Sequence, residues 1–158
     1  MALTKGVNSY VTVEEADVYF TTRLDVAAWD NASSEHKAAA LVTATSLLES
    51  KRWSGYAVSD SQSLCFPREG FYFDPRLGYE VEYNSAEVPA RIITATQELA
   101  YHLLNNDGLL DDTGRVSDLQ LGSVTLSKIQ APNVIPSAVT RLIQPLLDVS
   151  SNGWWRAN

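Results

Sequence analysis

Asp112-Thr113-Gly114 has the composition of the catalytic triplet of aspartic proteases. That chemistry needs two carboxylates sharing one proton, each held on a loop between strands. Here the triplet follows the expected end of a helix and lies between Asp111 and Arg115, a setting that suits a solvated turn. His36 and His102 are the only histidines, and no cysteine or histidine stands at metal-ligand spacing to either. Cys65, the single cysteine, sits between Leu64 and Phe66 and reads as a small apolar group, not a nucleophile. One cysteine allows no internal disulfide. Phosphate loops, dinucleotide fingerprints, nucleophile elbows and zinc-protease motifs are missing from the sequence. The expectation is a protein with no catalytic, metal or cofactor-binding residues, and hence not an enzyme.

Residues suited to binding are more prominent. Phe71, Tyr72, Phe73, Tyr79 and Tyr83 flank the turn sequence Asp74-Pro75-Arg76-Leu77-Gly78. Such aromatics could stack on bases. The surrounding charges are Arg68, Arg76 and Arg91 against Glu69, Asp74, Glu80, Glu82 and Glu87, which repels a phosphate backbone. A face packed on a neighbouring subunit or on the chain's own helices is the better reading. Trp154-Trp155-Arg156 closes a polar C-terminal stretch. Trp and Arg are enriched at binding hot spots, so this stretch reads as an anchor for a partner or as a segment folded back on the core.

The elements that position these residues follow from periodicity. Thr12 and Glu15 have capping-box spacing, and Val13, Ala16, Phe20 and Leu24 form one stripe of a first helix. A second helix is expected from Ser33 or Ser34 to about Trp53, with Lys37, Leu41, Ala44 and Leu48 on one stripe and Gly55 as its stop. Residues 56–86 read as a hairpin or extended arm. A third helix begins at Glu87-Val88-Pro89 and buries Ile92, Thr96, Leu99 and Leu103. A second hairpin is expected over 115–128, around Gly122-Ser123. A fourth helix begins at Ile135-Pro136 and is kinked or ended by Pro145. The expected fold is mainly α: a three-to-four-helix bundle with two small β-hairpin or arm excursions. It forms one domain, residues 1–149, with a C-terminal tail, 150–158.

A chain of 158 residues is long enough for one real core. Its longest apolar runs fall well short of the roughly 20 residues that span a bilayer, and the first residues lack the apolar core of a signal peptide. Membrane contact is therefore not expected. Formal net charge is −7, which opposes broad phosphate binding. The acid is concentrated around 12–30 and 98–118, whereas 128–158 is basic through Lys128, Arg141 and Arg156. That asymmetry suggests different partners at the two ends.

An ordered set of short pieces carries a family resemblance. It runs Asn8-Ser9-Tyr10, Ala16-Asp17, Tyr19-Phe20, Trp29, Ala39-Ala40-Leu41, Arg52-Trp53-Ser54-Gly55 and Phe66-Pro67-Arg68. It continues through Val88-Pro89, Glu98-Leu99-Ala100, Leu121-Gly122-Ser123-Val124, Ile135-Pro136 and Pro145-Leu146-Leu147. In this order the set resembles the small head–tail adaptor, or head-completion, proteins of tailed phages. Relatives of that set are also labelled DnaT-like single-stranded-DNA binders. The resemblance implies a structural virion protein at the head–tail junction, assembled in the host cytoplasm. It implies a homo-oligomeric ring of about twelve copies beneath the portal, with a downstream tail, stopper or nozzle protein as its other partner. DNA would pass through without sequence-specific binding. Portal binding falls to Arg141, Trp154, Trp155 and Arg156. The subunit or tail interface falls to Phe71, Tyr72, Phe73, Tyr79 and Tyr83, and the lumen-facing acids are Asp107, Asp111, Asp112 and Asp118. Single-stranded DNA binding is the alternative.

Overall fold

Thr12 opens the first helix as the spacing predicts. Its side chain accepts from the Glu15 amide, and the Glu15 carboxylate accepts from the Thr12 amide, which satisfies two amides at the helix start. A computed structural model describes residues 2–105, 118–121, 124–127 and 135–148. Over these the helices are α1 (Val13–Phe20), α2 (Ala27–Asp30), α3 (Ser34–Glu49), α4 (Ala90–Asn105) and α5 (Ser137–Ile143), with a 3-10 turn at Gln144–Leu146. The strands are β1 (Tyr56–Ala57), β2 (Arg68–Glu69), β3 (Phe71–Asp74), β4 (Tyr79–Glu82), β5 (Asp118–Leu121) and β6 (Val124–Ser127). They pair antiparallel as β1–β2, β3–β4 and β5–β6. No helix among the described residues is long and apolar enough to cross a membrane.

This is a mixed α/β fold and corrects the expected mainly-α bundle. Only α3 and α4 are long; α1 has eight residues and α5 seven. Leu24, placed on the first helix stripe, lies beyond the end of α1 and is 91% exposed. The chain then makes the short α2, which seats Trp29 in the core. The second long helix starts at its Ser33 cap as expected but stops at Glu49, short of Trp53. Trp53 instead forms an extended bridge with Leu147. The bundle expectation failed because much of the core comes from non-helical chain: Trp53, Leu64, Phe66 and Tyr83 are all buried.

The core's helical part lies between α3 and α4. Leu41, Ala44, Thr45 and Leu48 face Ile92, Thr96, Leu99 and Leu103, all buried, and small Ala44 lets the two helices approach closely. Val139, Ile143 and Leu146 close it from α5 and the 3-10 turn. Pro145 lies in that turn, where the α geometry gives way. Both expected hairpins form. The second pairs Leu121 with Val124 and Asp118 with Ser127.

Candidate functional site

Arg68 explains two of the family-like pieces at once. Its guanidinium donates to the carbonyls of Ser54 at 2.7 Å, Gly55 at 2.6 Å, Cys65 at 3.2 Å and Trp53 at 3.5 Å. Arg52-Trp53-Ser54-Gly55 and Phe66-Pro67-Arg68 are therefore two halves of one clamp. Gly55 has φ +70°, and a Cβ there would collide with the Glu69 carbonyl oxygen; the close approach demands glycine. Phe66 packs edge-on against Trp53 at 5.1 Å, Tyr83 at 6.0 Å and Tyr10 at 6.2 Å.

On that clamp stands the aromatic hairpin. Asp74, buried, holds its turn: its carboxylate accepts from the Arg76 amide and its carbonyl from the Leu77 and Gly78 amides. Cross-strand partners share a sheet face. Phe71 pairs with Glu82 and Phe73 with Glu80, so these four lie on one face. The other face carries Tyr72, Val81, Asp74 and Tyr79. Tyr72 stacks on Tyr83 at 4.7 Å and ties that face to the core. Tyr83 is buried, with its hydroxyl on the Ser54 hydroxyl, so it contributes no outer surface. On the outer face Phe71 and Phe73 are 60% and 51% exposed, with Glu80 and Glu82 exposed beside them; Tyr79, on the other face at the turn end of β4, is 60% exposed. The outer face is thus apolar and acidic together.

Several cations among the described residues have partners within the chain. Arg23 pairs with Glu98, Lys37 with Asp17, Arg52 with Asp148 and Lys5 with Glu15. Arg76 lies 3.7 Å from Asp74, and Arg68 is spent on carbonyls. Asp17 also accepts from the Trp29 indole at 2.8 Å. Burial acts to raise the Asp17 pKa, but the hydrogen bonds from Lys37 and Trp29 outweigh it and hold it below the ordinary value. Tyr19 donates to Glu98, and burial together with that bond pushes its pKa up to about 12.

The residues screened for catalysis stand apart. Cys65 is partly buried, and burial followed by the nearby Glu49 carboxylate pushes its pKa up to about 11, the reverse of an activated thiol. Its amide donates to Glu49, which also accepts from the Tyr10 hydroxyl. His36 is exposed on α3 and His102 is half-buried on α4. Among the described residues no cluster of metal-ligating side chains occurs. Arg141 is exposed on α5. Asp107, Asp111, Asp112, Trp154, Trp155 and Arg156 lie outside the described residues, and of Asp118 only its place at the start of β5 is described.

Fold and face together define a small α/β module that displays an aromatic and acidic hairpin. Residues 2–157 match the family described as "Putative DnaT-like ssDNA binding protein", and the chain belongs to that family. The description carries the alternative raised from the sequence; it does not mention a head–tail connector. No curated protein matches the chain and no solved structure does.

Proposed function

We propose that this chain is a structural assembly protein whose hairpin face docks on protein: a ring-forming head-to-tail adaptor beneath a viral portal. The observation that carries this reading is the composition of the outer hairpin face. Phe71 and Phe73 offer apolar contact, but Glu80 and Glu82 stand directly across from them. A phosphodiester laid over those rings would meet carboxylates, whereas a partner presenting apolar and basic groups would be complemented. In this reading Phe71, Phe73 and Tyr79 contact the adjacent subunit or the next tail component. Arg141 and the Trp154-Trp155-Arg156 tail contact the portal. The acidic residues Asp107, Asp111, Asp112 and Asp118 face a lumen from which they repel passing DNA. Assembly needs no cofactor and no catalysis.

The test is to mix the full chain with portal rings from the same particle and size the product. The expected result is a complex carrying one ring of this chain, lost on Trp154→Ala/Trp155→Ala with the domain still folded. Unchanged assembly by that variant would remove the anchor role, and no complex with the wild-type chain would remove the adaptor.

A second reading, binding of single-stranded DNA, is favoured by the family description. The exposed rings at alternate positions of β3 could act as stacking platforms. The engaged cations and the net charge of −7 weigh against it.

A further inference from the structure

His36, Ala39, Ala40 and Thr43 recur at three- and four-residue spacing, so they line one face of α3. Three of the four are small. Opposite them stand Ala28, Asn31 and Ala32 from α2 and its end, with Leu103 and Leu104 from the last turn of α4. With so little side-chain volume on the α2 and α3 walls, the space between them stays open as a cleft of about 580 Å³, within the range of clefts that take bulky apolar groups. Asp30 and Glu35, both exposed, adjoin the lining residues Asn31 and His36 and make the rim acidic.

We infer that this cleft is the seat of the chain's own Trp154-Trp155-Arg156 segment. Two arguments point to that occupant. The first is reach. The Asp148 amide donates to the Arg52 carbonyl at 3.0 Å, which pins the last described residue beyond the C-terminal end of α3. Six further residues to Trp154 span up to about 20 Å. At about 1.5 Å per residue, Thr43 lies about 10 Å and His36 about 20 Å back along the helix from Ser50. An extended segment of that length is therefore commensurate with the distance to the Thr43 end of the cleft. The second argument is complementarity: two indoles supply apolar bulk where alanines leave room, and Arg156 supplies the cation that the Asp30 and Glu35 rim lacks. The inference does not rest on the adaptor reading; a portal would have to displace the seated tail.

Acrylamide quenching of the full chain tests it, because the other two tryptophans, Trp29 and Trp53, are 1% and 5% exposed. The expected result is that the wild-type chain is quenched no more than Trp154→Phe/Trp155→Phe. Filling the cleft with Ala39→Phe, or independently with Thr43→Leu, should then raise the quenching, and not do so in the Trp154→Phe/Trp155→Phe background. Both sites are exposed on α3, so circular dichroism should be unchanged. Wild-type quenching well above that of the double variant would overturn the proposal. So would an unchanged signal in both filled variants. Protection that disappears on dilution would also overturn it, by assigning the cleft to another copy's tail.

Discussion

Arg68, one of the few cations beside the aromatic hairpin, is structural. Four carbonyls surround its guanidinium, and hydrogen bonds to a charged group contribute about 1.5–3 kcal/mol each at best. Arg68→Met should lower stability by about 3 kcal/mol in denaturant unfolding, with Arg68→Lys recovering only part of it, because an ammonium cannot span the same fork. Asp17 makes a pH prediction. Its folded-state pKa is depressed, so its contribution is present above the unfolded value, about 3.9, and is lost as pH falls through the folded one. Asp17→Asn should therefore flatten the decline in melting temperature below about pH 4. In the sequence Asp17, Trp29 and Arg68 were legible as pieces of a recurring set. Their shared task of closing the fold was not, because their partners lie across turns that periodicity does not register.

Among the elements, helix starts and turns follow from local sequence, whereas helix ends do not. The Thr12 capping box and the Asp74–Gly78 hairpin turn depend on residues a few positions apart, and both form as expected. Thr12→Ala should cost about 1 kcal/mol, visible as a lower unfolding midpoint with an unchanged denaturant slope. The ends of α1 and α3 depend on tertiary partners. Leu24 fits the helical stripe, yet Arg23 turns away to meet Glu98 at 2.7 Å and donates to the Asp25 carbonyl at 2.9 Å. Trp53 fits the continuation of α3, but its extended bridge to Leu147 takes over. The missed α2 has four residues, too short for a periodic signal. Of the candidate site, Phe71, Phe73 and Tyr79 were legible as an aromatic set. The burial of Tyr83 was not, since its partners Phe66 and Ser54 lie across the clamp, beyond the reach of strand alternation.

For the whole molecule the account rests on charge. Net charge of −7 and the carboxylates of Glu80 and Glu82 across from Phe73 and Phe71 make the exposed aromatic face acidic. The most direct measurement is fluorescence anisotropy of a labelled oligothymidine titrated with the full chain across a range of salt. The account predicts no saturable binding at physiological salt by the wild type. It predicts salt-sensitive binding once Glu80→Lys/Glu82→Lys supplies the cations that rings at this spacing need. Tight wild-type binding that weakens steeply with salt and is lost in Phe71→Ala/Phe73→Ala would contradict the account and establish the hairpin as a strand-binding face.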